Sequence, residues 1–163
     1  TLSLGAHMLM LGGVAADATT ARVRLQRAIA SGAALAKFRE IVAAQGGDPR
    51  VIDDPSRLPP ARVQWPLQSR KSGYVSRVDA LPVALAALAL GAGRIRVEDK
   101  IDPAVGIADL RKVGERVEAG TTLAVIHASS EAAAAAVRAQ LESAFVIAET
   151  QPPVPPLIGE VIG

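Results

Sequence analysis

Val113-Gly-Glu-Arg-Val-Glu-Ala-Gly120, followed by the run Thr122-Leu-Ala-Val-Ile126, decides the fold of this chain. The glycines lie between apolar residues, where a turn needs a positive φ angle or a close backbone approach. The flanking residues alternate as half-buried strands do. This pattern predicts a β-hairpin within a compact β-rich module that one helix crosses.

Composition limits the possible function classes. A chain of 163 residues allows one or two domains. The formal charge is only +2, and no basic face or interleaving of basic and aromatic residues points to nucleic acid. The absence of cysteine excludes disulfides and thiolate chemistry and fits a cytoplasmic location. No apolar run approaches the length of about 20 residues that spans a membrane.

The first third of the chain is predicted to be helical. Residues 1–12 are apolar on all sides, so this helix needs several packing partners. We therefore expect the chain to be a fragment that lacks an N-terminal partner. Asp17 or Thr19 is predicted to cap a second helix, and Ser31 a third. The third helix should bury one apolar face, consisting of Leu35, Phe38, Ile41 and Val42.

Residues 53–60 contain three prolines, which predict an extended connector and a domain boundary. Beyond it, strands are predicted at 63–67, 74–78, 94–97, within 101–107, and at 122–127, 145–148 and 157–162. Residues 110–113 and 115–117 are expected to lead to a turn at 119–120 before the strand 122–127. Pro66 confines the first of these strands to a sheet edge or a strand end. Asp79 should cap a helix over 80–90, whose apolar face consists of Leu81, Leu85, Leu88 and Ala89.

Ser129 or Ser130 is predicted to cap the last long helix. The residues that this helix should bury are Val137, Leu141 and Phe145. Residues 151–156 read as an extended, polyproline-like tail.

Neither histidine has the surroundings of a metal ligand. His7 and His127 fall in different predicted domains, without a second histidine or a carboxylate at ligand spacing. Either residue is better explained as a packed or half-exposed histidine.

The acidic run of Glu98, Asp99 and Asp102 could hold a cation or act as paired acids. Basic residues lie beside it, namely Arg94, Arg96 and Lys100. A solvated cluster of ion pairs is therefore the favoured interpretation.

Two further motifs resemble functional loops only in part. Gly91-Ala-Gly-Arg94 follows a predicted helix, whereas a phosphate-binding loop needs a strand before it and a helix after it. Ser72 next to Gly73 resembles part of a nucleophile elbow, but the preceding Gly-x is absent. A helix stop and a turn serine explain these motifs better.

The hairpin from Gly114 to Leu123 resembles the half-motif of biotinyl and lipoyl domains. Those carriers expose a modified lysine at a hairpin tip, usually in a Met-Lys pair. Lys100 and Lys112 lack that context. The barrel-like architecture is therefore retained as a prediction, and the carrier function is not.

Taken together, the chain resembles the C-terminal part of the thymidine phosphorylase and pyrimidine-nucleoside phosphorylase family. The stretches that carry the resemblance are His7-Met-Leu-Met-Leu-Gly-Gly13, Ala43-Ala-Gln-Gly-Gly47, Gly73-Tyr-Val75, Gly91-Ala-Gly-Arg94, Asp99-x-Ile-Asp102, Val105-Gly106, the segment Gly114 to Gly120, and Leu123-Ala-Val-Ile-His127. They occur in the family's order and span nearly the whole chain.

The resemblance implies an α/β (α+β) fold in two parts. Residues 1–58 would be the helical C-terminal end of the catalytic α/β domain. Residues 59–163 would form the C-terminal α/β-hammerhead domain, which is barrel-sandwich-like and mainly structural.

The resemblance also implies a pentosyltransferase that acts on thymidine or uridine. Phosphate is the co-substrate, no cofactor is needed, and the products are the free base and (deoxy)ribose 1-phosphate. Family members are cytoplasmic homodimers in nucleotide salvage. Their catalytic and substrate-binding motifs precede the matched region, so no catalytic, substrate-binding, cofactor-binding or metal-binding residue is assigned here. The fragment alone is expected to be inactive. The alternatives are a stand-alone biotinyl-like binding module and a non-catalytic scaffold protein.

Overall fold

The computed structural model describes residues 1–154 and 156–160 and has an α+β fold, as predicted. The chain divides into two compact units, Thr1–Leu58 and Pro59–Gly163. Within the described residues, no helix is both long and apolar enough to cross a membrane.

The first unit contains three helices, α1 (Leu2–Leu11), α2 (Ala18–Ala30) and α3 (Ala33–Ala44). The Asp17 carboxylate caps α2 by accepting a hydrogen bond of 2.8 Å from the Thr20 N–H, which confirms one predicted cap. The cap predicted for α3 is wrong by one residue. Gly32 takes that position because its backbone is left-handed, with φ at +76°, a conformation that a residue with a Cβ adopts only rarely.

Helix α3 does not bury the face that its sequence pattern predicts. Leu35, Phe38 and Ile41 are each about half exposed, and no residue of α3 is buried. In the whole first unit, Ala6 and Ala21 are the only buried apolar residues. The helical period of the apolar residues is therefore present, but this unit supplies no second layer against which the face could pack.

The connector after α3 is more structured than predicted. The 3₁₀ turn Pro55–Arg57 lies within residues 53–60, which were predicted to be extended, and a second 3₁₀ turn, Pro49–Ile52, precedes them. Each begins with a proline, which has no N–H to leave unsatisfied in a first turn. The carboxylates of Asp48 and Asp54 cap these turns by accepting hydrogen bonds from the N–H groups of Arg50 and Ser56, respectively.

The second unit is built on two three-stranded antiparallel sheets. The first has the order β1 (Val63–Gln68), β5 (Thr122–Ala128), β3 (Gly106–Ala108), and the second has the order β4 (Arg116–Val117), β2 (Gly73–Val78), β6 (Phe145–Ala148). Strand β1 lies at an edge, as Pro66 predicts. Val75, Val117 and Ile126 from these strands are fully buried in one shared core.

Helices α4 (Ala80–Leu90) and α5 (Glu131–Ser143) complete this core. The Ser130 hydroxyl caps α5 by accepting from the Ala133 N–H at 3.2 Å, as predicted. Val137 and Leu141 are buried, also as predicted. Phe145, however, starts β6 instead of extending the buried stripe of the helix.

The predicted packing face of α4 is wrong. Leu81 is 68% exposed and Leu85 is 42% exposed, whereas Ala86 and Leu90 are buried. Nearly every residue of this helix is apolar, so the sequence pattern does not define its rotation. The small side chain of Ala86 lies on the side that faces the core.

Two strand predictions also fail. Residues 94–97 form a loop with bends and a turn instead of a strand, because the Asp99 carboxylate accepts hydrogen bonds of 3.0 and 2.8 Å from the N–H groups of Ile95 and Arg96. A local side-chain acceptor thereby replaces a strand partner. Residues 157–160 form no strand, and the rest of the predicted 157–162 strand lies outside the described residues.

Candidate functional site

Two carboxylates of the acidic run after α4 accept backbone hydrogen bonds. Asp99 accepts from two backbone N–H groups, and the Asp102 carboxylate accepts from the Ala104 N–H at 2.9 Å. Within the described residues, none of the predicted ion pairs of this run is formed, so that interpretation is wrong. The carboxylates fold the loop and do not converge on a shared point.

The histidines lie in different units. His7 is in α1, and His127 is in β5, opposite Gln64 and Gly106. No group of three or more His, Cys, Asp or Glu side chains in the described part of the chain could hold a metal ion.

Gly91 ends α4 with a left-handed conformation, its φ angle being +102°. The glycine-rich segment therefore terminates a helix, as the order of elements predicts, and no helix begins after it within the segment up to β3. The Gly91 carbonyl accepts a hydrogen bond of 3.0 Å from the Asp102 N–H, which folds the loop back onto the end of α4.

Ser72 and Gly73 join distant parts of the second unit. The Ser72 hydroxyl accepts a hydrogen bond of 3.1 Å from the Ala119 N–H. A Cβ atom on Gly73 would lie within 3.0 Å of the Ala148 carbonyl oxygen, so strand β6 can pair closely only with a glycine there. This serine is a turn residue and has no base beside it in the described hydrogen bonds.

Gly114 shapes the turn before β4, with φ at +91°. The predicted hairpin is not formed, because β4 pairs with β2 whereas β5 pairs with β1 and β3 in the other sheet. The C-terminal tail crosses this turn. The Gln151 side-chain amide donates to the Gly114 carbonyl at 3.2 Å, and a Cβ on Gly114 would collide with Val154. Lys112 is exposed near this turn, in the segment between β3 and β4.

One concave site was not predicted from the sequence. A cleft of about 640 Å³ lies between the β1–β2 turn, helix α5 and strand β6. We call it the Arg70 cleft; the residues that define it are Arg70, Lys71, Leu123, Glu142, Phe145 and Ile147. Its size is typical of small-molecule sites.

Glu142 connects the charged groups of this cleft. Its carboxylate accepts a hydrogen bond of 2.7 Å from Arg70 Nη2 and one of 3.0 Å from Arg138 Nε. Burial raises the pKa of Glu142, but the hydrogen bonds from both arginines outweigh it and leave the pKa below its ordinary value. Spacing along α5 could have indicated the pair of Arg138 and Glu142. Arg70 is 72 residues away from Glu142, and no local signal indicates that contact.

Comparison with known proteins places this fold in a family. Residues 74–148 match the family model described as pyrimidine nucleoside phosphorylase C-terminal domain. Thymidine phosphorylase from Burkholderia cenocepacia (strain HI2424) is 45% identical over 151 residues, which are 92% of this chain and 34% of that protein. Pyrimidine-nucleoside phosphorylase from Staphylococcus aureus (strain USA300) is 43% identical over 148 residues, 91% of this chain and 34% of that protein.

The two-sheet fold and these matches place the second unit in the class of pyrimidine nucleoside phosphorylase C-terminal domains. The chain belongs to the pyrimidine nucleoside phosphorylase family and corresponds to a C-terminal portion of its members, as the resemblance predicts. It spans about a third of the length of the curated relatives that it matches.

Proposed function

We propose that this chain is the C-terminal part of a longer pyrimidine-nucleoside phosphorylase. The observation that carries this proposal is sequence identity of 43–45% along more than nine-tenths of the chain, confined to about a third of each relative. The intact protein would be a pentosyltransferase that converts thymidine or uridine, with phosphate, to the free base and (deoxy)ribose 1-phosphate. It would act as a cytoplasmic homodimer in nucleotide salvage.

In this reaction, a phosphate oxygen attacks the anomeric carbon, the bond from that carbon to the base nitrogen breaks, and the base leaves with the bonding electrons. No redox step is involved, and no cofactor is required. We assign none of these steps to residues of this chain. This choice is supported by hydrogen bonds from backbone N–H groups, which already occupy the side chains of Ser72, Asp99 and Asp102.

The two units would have different roles. Residues 1–58 would be helices of the catalytic α/β domain, and residues 59–163 the α/β-hammerhead domain. The exposed apolar side chains of the first unit support its role, because a face of this kind needs a covering partner. The second unit has its own core. It would support the catalytic domain while the substrate cleft of that domain closes.

Phosphorolysis assays test the proposal. The purified chain and the longer polypeptide that includes it are each given thymidine or uridine with phosphate, and release of the base is followed. We expect activity only in the longer polypeptide. Activity of the chain alone would show that catalytic residues have been missed, and inactivity of both would refute the proposed reaction.

Deletion of residues 68–163 from the longer polypeptide tests the structural role. We expect a lower melting temperature and a lower turnover. Unchanged melting and unchanged turnover would contradict that role, whatever the substrate is.

A further inference from the structure

The Arg70 cleft combines an apolar floor with a polar rim. Leu123, at 5% exposure, forms part of the floor together with the half-buried Phe145 and Ile147. Arg70, Lys71 and Glu142 lie at the rim. A mainly apolar cavity with a few converging polar groups is the usual form of a small-molecule site.

Positive charge is in excess around this cleft. Arg70, Lys71 and Arg138 carry three positive charges, and Glu142 carries one negative charge. Lys71 forms no ion pair with any carboxylate in the described part of the chain. The local surplus of two positive charges favours an anionic ligand over a neutral or cationic one.

Arg70 keeps capacity to bind a second anion. A guanidinium group has five N–H donors. In the described hydrogen bonds, Arg70 uses its Nη2 atom toward Glu142, and its side chain is 76% exposed. The pair with Glu142 holds the guanidinium at the rim, which reduces the entropy that a ligand would lose by ordering it.

We propose that the Arg70 cleft is a binding site for a small amphipathic anion, whose carboxylate or phosphate contacts Arg70 and Lys71 and whose apolar body covers Leu123, Phe145 and Ile147. This proposal does not rest on the proposed phosphorolysis reaction. No bond is made or broken in the site. Ligand binding would stabilise the second unit, because it would join the β1–β2 turn to α5 and β6.

The adjoining surface supplies a spectroscopic reporter. Trp65, the only tryptophan of the chain, lines a neighbouring cleft of about 310 Å³ that shares Gln68, Ser69 and Arg70 with the first. A ligand that moves Arg70 should therefore change the fluorescence of Trp65.

The test uses the 163-residue chain and 4-phenylbutyrate as the probe. Binding is measured by calorimetry and by Trp65 fluorescence. The neutral amide of the same acid has the same apolar body without the charge. We expect the amide to bind at least tenfold more weakly, and we expect added salt to weaken binding of the acid.

Two pairs of variants locate the site. Arg70→Ala should weaken binding of the acid at least tenfold, whereas Arg96→Ala, at an exposed arginine outside the cleft, should not. Ala139→Phe fills the cleft without changing its charge and should abolish binding. Ala136→Phe, an exposed position of the same helix outside the cleft lining, is its control. Circular dichroism verifies that each variant is folded.

Binding of the acid with these charge and position dependences would support the proposal. It would be overturned if the acid did not bind in the millimolar range, or if the amide bound equally well. Equal binding by folded Ala139→Phe would also overturn it. This last variant leaves the pair of Arg70 and Glu142 intact, so the test holds even if Arg70→Ala does not fold.

Discussion

The orientation of α4 can be tested by truncating two leucines on opposite sides of the helix. Leu90 is 7% exposed and lies in the core, whereas Leu81 is 68% exposed. We expect Leu90→Ala to lower the free energy of unfolding of the second unit by about 3 kcal/mol, within the range for buried leucines. Only about a third of Leu81 is covered. At about 0.8 kcal/mol per buried CH₂, Leu81→Ala should cost less than about 1 kcal/mol.

Urea unfolding followed by Trp65 fluorescence measures this difference, because Trp65 lies in β1 of the same unit. The expected loss for Leu90→Ala corresponds to a fall in the urea midpoint of about 1–3 M. Both variants replace the same residue type in one helix, so their helix propensities change equally. If Leu81→Ala were as destabilising as Leu90→Ala, the described rotation of α4 would be wrong.

Three further outcomes are expected. Gly73→Ala should destabilise the second unit and separate β6 from β2, because the added Cβ would collide with the Ala148 carbonyl. Loss of slow amide exchange in β6 would show this separation, and unchanged exchange would contradict it. Ser130→Ala should cost about 1 kcal/mol through loss of the α5 cap, with Ser129→Ala as a near-neutral control in the same urea assay. The pKa of Glu142 is lower in the folded state than its ordinary value of 4.5, so the ionised carboxylate stabilises the fold at pH values above 4.5. This contribution is lost as the pH falls through the lower pKa of the folded state. The stability of the wild type should therefore fall more below pH 4.5 than that of Glu142→Gln, and parallel curves would refute the role of this carboxylate.

Turns were the features that local sequence predicted best. Gly91 and Gly114 both adopt positive φ angles, and few other residues tolerate that conformation. The caps at Asp17 and Ser130 were also predictable, since a short polar side chain before a helix reaches its first free N–H groups.

Features that depend on tertiary contacts were not predictable. Helix α4 is apolar on nearly all sides, so the choice of Ala86 over Leu85 for the core depends on which shape fits against the sheets. The Arg70 cleft depends on a contact across 72 residues. The wrong strand prediction at 94–97 has a different, local cause. The Asp99 carboxylate accepts hydrogen bonds from backbone N–H groups of this segment, and whether it does so depends on the path of the loop.

The pairing of strands across long stretches of sequence has a consequence for the order in which the second unit folds. Strand β1 pairs only with β5 in the described sheets, and β2 pairs with β6 along most of its length. During synthesis, β1 therefore waits without a partner until residues 122–128 have left the ribosome, and the second sheet waits for residues 145–148. Folding of this unit should thus be slow for its size, since both sheets must close long loops before their contacts form.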